Sequence, residues 1–427
     1  MSKSIPLGLL AFAVSSSLAL AQDAAAKPAA APGGWSAKPG SGLKYDGGDA
    51  FGMEIKNRLQ VHWTYGNNEG AQDSNTFNIR RLRTTFQGHV FNKDILYKLM
   101  FDAVDSGSSG DGNIKEGYVQ WNFSSSDSGT VGFRAGQAKT MFGLEATGTS
   151  GGLWFVERSS ASRAFADSFS RGAWLNGVMA DKKFRWAAGA MNTDVAAGLG
   201  TGYTDRGEET ANSDNELSYV VSANFDPLGD FFGGKQTAES WKQGDFRTDD
   251  DGLKGTIGVG LALGNGKDTA SISPTSTGFD VESTSININT AWTVSKFNVL
   301  AEYFMRTDDL QGPTPDEEEP SGWAVSGGYL LPKSGDSAMQ WGFGVRVCML
   351  ENDEGTAGSG VDFLTGMQGI GSTPGEVMEI SAVLNAFYHN HSCKTQIEYT
   401  FQDVDPDGAA TSSSTNHILR IGFQLEI

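Results

Sequence analysis

The stretch Met53-Glu54-Ile55-Lys56-Asn57-Arg58-Leu59-Gln60-Val61-His62-Trp63-Thr64-Tyr65 decides the fold. Met53, Ile55, Leu59, Val61, Trp63 and Tyr65 hold the odd positions, while Glu54, Lys56, Arg58, Gln60, His62 and Thr64 hold the even ones. In a strand, successive side chains point to opposite faces, so this period of two writes one apolar and one polar face. The pattern returns at Leu217–Phe225, Ile286–Trp292, Phe297–Met305, Trp323–Leu331, Met378–Ala386 and Leu419–Ile427. With the runs Ile95–Phe101, Ile257–Leu263, Met339–Val347 and Thr395–Phe401, and the less regular ones near 77–91, 115–123, 130–139, 172–179 and 184–192, the chain carries sixteen such segments. The number is even, as a closed single-chain membrane barrel requires.

The connections alternate as well. Short turns such as Asn92–Asp94, Ala180–Lys183, Val294–Lys296 and Asn390–Ser392 separate long loops at 66–75, 105–113, 140–171, 193–215, 264–283, 307–321, 351–375 and 403–415. Short turns on one rim and long loops on the other are the layout of an outer-membrane barrel. The expected fold is therefore all-β, a 16-stranded antiparallel transmembrane β-barrel over residues 51–427. One connection, 226–252, is long where a turn is expected, so eighteen strands stay open. A soluble sandwich or propeller also supplies alternating strands, but not this alternation of loop length, nor Trp and Tyr on the outer face.

Composition agrees. Of 427 residues, 56 are Gly, and 32 Lys+Arg against 51 Asp+Glu leave a net charge of −19. That balance excludes a nucleic-acid partner, which needs a basic face. Lys3, the apolar run Ile5–Leu20 and the small-residue site Ala19-Leu20-Ala21 read as a cleavable signal peptide over 1–21. Residues 22–50, rich in Ala, Pro and Gly, read as a flexible periplasmic leader. Cys348 and Cys393 fall on opposite rims, too far apart for a disulfide.

Three segments resemble a known family. Phe77-Asn-Ile-Arg80-Arg81-Leu-Arg83-Thr-Thr-Phe86-Gln-Gly88 is similar to its Arg-rich second strand. Arg134-Ala-Gly136-Gln137-Ala-Lys139-Thr-Met-Phe142-Gly143-Leu144-Glu145 is similar to its Gly-Gln-x-Lys-x-x-Phe-Gly-Leu-Glu segment, and Phe155-Val-Glu157-Arg158-Ser159, Phe165 and Arg171-Gly172 complete the likeness. The family is the phosphate-selective porin O and P group. The resemblance implies a trimeric porin whose third loop, 140–171, folds into the lumen as a constriction carrying Phe142, Gly143, Glu145 and Glu157.

Charges inside a membrane strand default to the lumen, because on the lipid face each costs about 2–4 kcal/mol at mid-membrane. That places Lys56, Arg58, Arg81, Arg83, Lys98, Arg134 and Arg185 inside, with Arg80 breaking the alternation at a bulge or an interface. Guanidinium groups grip oxyanions in a two-pronged fork. Arg81, Arg83, Arg134, Lys139, Arg158, Arg163 and Arg171 are thus the candidate anion path, with Lys56, Arg58, Lys98 and Arg185 as further pore-lining candidates. Against this, Glu54, Asp102, Glu116, Glu302, Glu379, Glu398 and Glu426 share the inward phase and can pair with the same cations. Five long loops, moreover, hold 21 acids against Arg206 and Lys267, an outer mouth that attracts cations.

Other signals are bland. Asp403-Val-Asp405-Pro-Asp407-Gly408 opens like a calcium loop but has Ser414 where a Glu is required, and His389-Asn-His391 has no third ligand in sequence. No metal, cofactor or catalytic motif is expected. The expected partners are outer-membrane lipid and lipopolysaccharide outside and small ions or solutes inside. The expected function is passive diffusion of small hydrophilic solutes, anions such as phosphate among them. A non-selective or cation-preferring porin, and a non-transporting barrel such as an adhesin or hydrolase, are the alternatives.

Overall fold

The computed structural model describes residues 33–69, 72–104, 114–166, 169–192, 217–247, 252–267, 280–311, 316–333, 339–352, 375–406 and 413–427. In chain order the strands are β1 (Gly34–Lys38), β2 (Gly42–Asp46), β3 (Phe51–Asn68), β4 (Ser74–Val90), β5 (Ile95–Asp102), β6 (Ile114–Ser126), β7 (Gly129–Ala138), β8 (Ser170–Met179), β9 (Phe184–Met191) and β10 (Ser218–Phe225). There follow β11 (Lys254–Lys267), β12 (Asp280–Val294), β13 (Phe297–Gln311), β14 (Asp316–Glu318), β15 (Ser321–Leu330), β16 (Gln340–Asn352), β17 (Gly375–His389), β18 (Cys393–Pro406) and β19 (Ser414–Glu426). From β3 onward each long strand pairs antiparallel with the next, and β19 returns to β3, with Glu426 opposite Arg58, so sixteen strands close on themselves. The three residues of β14 only extend the rim against β13.

Both faces follow the alternation. In β17, Glu379, Ser381 and Asn385 are buried inward while Ile380, Ala382 and Leu384 lie exposed on the outside. Val221, Val259, Ile288 and Val345 are likewise exposed, and Asn287 and Glu398 are fully buried. This inversion of a soluble protein suits a solvent of lipid chains: closure leaves no unpaired sheet edge in a phase that cannot hydrogen-bond it. The turn Ser295-Lys296 has both residues at positive φ, 46° and 74°, the two-residue geometry whose twist matches the flanking strands.

Two expectations are corrected. The leader over 22–50 is not flexible throughout, because β1 and β2 form a hairpin and β2 pairs with β3 from Leu43 opposite Ile55 to Asp46 opposite Gly52. The reason lies at the barrel seam. Ile427 and Asn57 exchange backbone hydrogen bonds at 2.9 Å, and the edge of β3 before Asn57 pairs with β2. The hairpin takes over that edge and stacks Trp35, Tyr45 and Phe51 along it, with ring centres 5.1 and 6.0 Å apart. Deleting Gly33–Asp46 should therefore lower the temperature at which the folded barrel unfolds on semi-native gels; an unchanged transition would show that the seam needs no cover. The second correction is to the eighteen-strand alternative. Residues 226–247 contain one 3-10 turn, Ala238–Ser240, and no strand. They fold into the barrel, where Trp241 and Phe232 pack with Leu144, Ala291 and Leu300.

Cys348 and Cys393 are free thiols, Cys348 buried and Cys393 half-buried. Residues 1–32, and most of the acidic loops, lie outside the described residues.

Candidate functional site

Between β7 and β8 the chain turns into the lumen. Gly136 has φ 127°, and a Cβ there would stand 2.2 Å from the Gly117 carbonyl oxygen across the β6–β7 ladder, so only glycine passes. Gly143, at φ 73°, starts α1 (Leu144–Thr147), whose first N–H groups meet a wall carboxylate: Glu302 accepts from Leu144 N at 2.6 Å and Glu145 N at 3.1 Å. A second short helix, α2 (Ser160–Phe165), is capped by the Ser159 hydroxyl and packs on β13, β15 and β16. Phe165 stacks on Phe304 at 5.5 Å, with Phe142 against the same ring. Trp154 fills the space that Gly328, Gly342 and Gly344 leave open on the wall and touches Phe246 and Phe387. The lumen thus has an apolar core, and that core fixes the loop to the far wall.

Inward acids hold the same loop. Glu398 accepts from Val156 N at 2.7 Å and lies 3.3 Å from Arg420, and Glu379 accepts from the Ser160 hydroxyl at 2.5 Å. The inserted turn props it from the opposite side. Gln243 accepts from Trp154 N at 2.7 Å, donates its side-chain amide to Glu145 at 3.1 Å, and donates its backbone N–H to the Gly152 carbonyl at 2.8 Å.

A cavity of about 380 Å³ lies open against β4, β5 and β6. Seven cations line it: Arg80, Arg81, Arg83, Lys115, Lys139, Arg158 and Arg163. Two carboxylates, Asp102 and Glu157, oppose them. The β3–β4 register shifts between Gln60 and Val61, which leaves Arg80 as the bulged residue and brings it beside Arg81. Arg81 grips Glu157 with both prongs, at 3.2 and 3.0 Å, and Arg80 adds a third bond at 2.6 Å. Burial by itself would raise the Glu157 carboxyl, but Arg81 and Arg80 hold it well below the ordinary range. Arg83 pairs with Asp102 at 2.7 Å. Phe169 lies within 6 Å of three cationic groups, Arg83, Lys115 and Lys139, as an aromatic floor.

Lys139 and Arg158 converge on the carbonyls at the end of α1. Lys139 donates to Ala146, Thr147 and Gly148 at 3.0, 2.7 and 2.6 Å, and Arg158 donates to Glu145, Ala146 and Gly148. Burial, then Arg158, pull the Lys139 ammonium well below its usual value. Yet three carbonyl acceptors need three N–H donors, which only the ammonium form supplies, so Lys139 is charged in this arrangement. Among the described residues, neither charge is cancelled by a carboxylate in contact. Arg163, exposed to the cavity, makes no ion pair among the described residues.

The other expected path residues lie elsewhere. Arg58 is held by Glu426 at 2.6 Å and by Ser150 and Thr149 of the loop. Lys98 pairs with Glu116 at 2.5 Å, Arg134 with Glu239 at 2.8 Å, and Lys56 with Glu54 at 3.2 Å. Arg185 is clamped by Asp226 and Asp230, and Arg171 donates to Gln137 at 3.2 Å. Lys98, Arg134 and Glu239 line a second cavity of about 640 Å³ beside the N-terminal hairpin, where most charges are matched. Sequence reasoning missed Lys115, although a charge at a strand start was signal enough. It also missed the whole inserted turn, marked only by its length.

Residues 55–336 match the sequence model of the phosphate-selective porin O and P family. The chain belongs to that family. It is an outer-membrane porin, a channel for passive diffusion of solutes. The porin's barrel resembles several solved structures. OmpT, an outer membrane protein of Vibrio cholerae, is 13% identical, with 89% of this chain and 98% of that one covered and a TM-score of 0.52. The outer membrane channel DcaP of Acinetobacter baumannii is 10% identical, with 88% and 98% covered and a TM-score of 0.58. An anion-selective porin from Comamonas acidovorans is 9% identical, with 88% and 99% covered and a TM-score of 0.55. At these identities the likeness is one of fold. No match is found among curated proteins.

Proposed function

We propose that this porin is a non-enzymatic channel that prefers anions, phosphate among them, and that the cavity between the constriction loop and β4–β6 is its selective step. The observation that carries the reading is the charge of that cavity among the described residues, seven cations against two carboxylates. A selective pore places such charges on its narrowest inward surface. Phosphate oxygens fit the guanidinium fork that Glu157 now fills. Arg81, Arg83, Lys139, Arg158 and Arg163 bind or steer the anion, while Arg58, Lys98, Arg134 and Arg185 brace the wall and the inserted segments. Export through a signal peptide over 1–21, contact with lipid and lipopolysaccharide, and a homotrimer belong to the same proposal. A trimer form of Vibrio cholerae OmpT, 13% identical with a TM-score of 0.50, supports the last.

The test is single-channel recording across a KCl gradient, with phosphate added to one side. An anion-signed reversal potential and a phosphate-dependent block are expected. Each charge-assisted hydrogen bond contributes about 1.5–3 kcal/mol, so Arg81→Gln with Arg83→Gln should weaken the block at least about tenfold and move the reversal potential toward the cation side. A cation-signed potential without block would establish the second reading, a cation-preferring porin ruled by its acidic loops, which hold 21 acids against two bases. No conductance at all would leave a plugged, non-transporting barrel.

A further inference from the structure

We propose that the Glu157 carboxylate is a tethered competitor for transiting anions: it fills the Arg80–Arg81 fork, a permeant oxyanion displaces it, and it returns to displace the anion in turn. This rests on the anion-preferring reading above and adds to it how the site releases what it binds. The two prongs of Arg81 at 3.2 and 3.0 Å and the Arg80 bond at 2.6 Å are the contacts an oxyanion would make with the same groups. Among the described residues, Glu157 is the carboxylate that the loop itself brings to this cavity; Asp102 belongs to the wall and is engaged by Arg83.

The exchange needs no loop movement. The Glu157 carbonyl is held by Arg346 at 2.9 Å, Val156 N is held by Glu398 at 2.7 Å, and Ser159 is held by Glu145 at 2.8 and 2.9 Å. The backbone on both sides is pinned, so the side-chain torsions of Glu157 are what can turn. A second berth exists: Arg163 opens on the same cavity, makes no ion pair among the described residues, and already feels the Glu157 charge. A filter must bind well enough to admit an ion and weakly enough to release it. An empty two-arginine fork in a buried wall would bind and hold, whereas a carboxylate on a short tether shortens each stay.

The test replaces charge at constant shape. Glu157→Gln in the full-length porin should tighten phosphate block about tenfold, lengthen individual blocking events and move the reversal potential further to the anion side. Glu157→Asp keeps the charge on a shorter arm and should tighten the block less, by a few-fold. It serves as the second variant where the Gln form does not fold, as judged by gel migration. If the wild-type channel is blocked by phosphate and neither variant tightens that block, Glu157 is a structural brace and the proposal falls alone. If the wild-type channel is neither anion-preferring nor blocked, the anion reading falls and takes this proposal with it.

Discussion

Replacing Trp154 by alanine should turn a quiet channel into a noisy one of larger conductance. The indole is 1% exposed and sits where three wall glycines leave room; a Cβ at Gly344 would stand 2.6 Å from its ring nitrogen. It also meets Phe387 at 5.4 Å and Phe246 at 6.4 Å between ring centres. Truncating a buried Trp to Ala typically costs about 3–5 kcal/mol, from lost burial and from the cavity left behind. Here that loss falls on the anchor of the constriction loop, not on the hydrogen-bonded wall. The barrel should keep its heat resistance while the loop samples positions off the far wall. The backbone bonds of the Trp154 carbonyl to Asn385 at 3.0 Å and Gln396 at 2.8 Å remain and limit the excursion. Open-channel noise and mean conductance, recorded beside wild type, decide the matter. A variant as quiet and as narrow as wild type would mean that the wall acids alone hold the loop.

The second large effect is expected at Glu239, on the inserted turn. Its carboxylate meets Arg134 at 2.8 Å, and that guanidinium also lies over the Tyr118 ring at 4.1 Å and donates from its Nε to the Gln120 side-chain oxygen at 2.9 Å. Removing one partner of a buried pair strands the other charge and costs about 3–5 kcal/mol. Glu239→Ala should therefore release residues 226–247 from the lumen and raise conductance. The double change Arg134→Met with Glu239→Leu removes both charges and should restore the closed arrangement, because replacing a buried pair by apolar side chains is often neutral. If both variants open the pore equally, the pair is not what holds the turn. The same pair carries a pH dependence. Burial would raise the Glu239 carboxyl, but Arg134 and then Lys98 hold it well below its ordinary value of 4.5. A carboxyl with a depressed folded value stabilises its segment above the ordinary value and loses that contribution as pH falls toward the depressed one. Acid should thus loosen the turn in wild type and leave the double variant unmoved.

The site was legible in part, for reasons that differ residue by residue. Arg80 announced itself by breaking the alternation, and it is the bulged residue. Arg81, Arg83, Lys139, Arg158 and Arg163 do gather around one cavity, because strand phase and loop membership place them on the lumen side. Their partners were not legible. Nothing near Glu157 in sequence distinguishes a carboxylate gripped by Arg80 and Arg81, 77 and 76 residues away, from one in water. The inward acids were readable as inward, but the task of Glu302 and Glu398, accepting N–H bonds from the loop, was not. Glu302 and Leu144 are 158 positions apart, and Glu398 and Val156 are 242 apart.

By itself the sequence determined the wall. A period of two fixes which side chain faces lipid and which faces lumen, since consecutive residues of a strand must point oppositely. The short turns join each strand to its neighbour, so order and closure follow from local information. What fills the wall was decided only in three dimensions. The constriction loop and the inserted turn have no period to read. Their conformation comes from apolar packing and hydrogen bonds to segments far away along the chain, before and after them. The path left open is the space those contacts do not occupy.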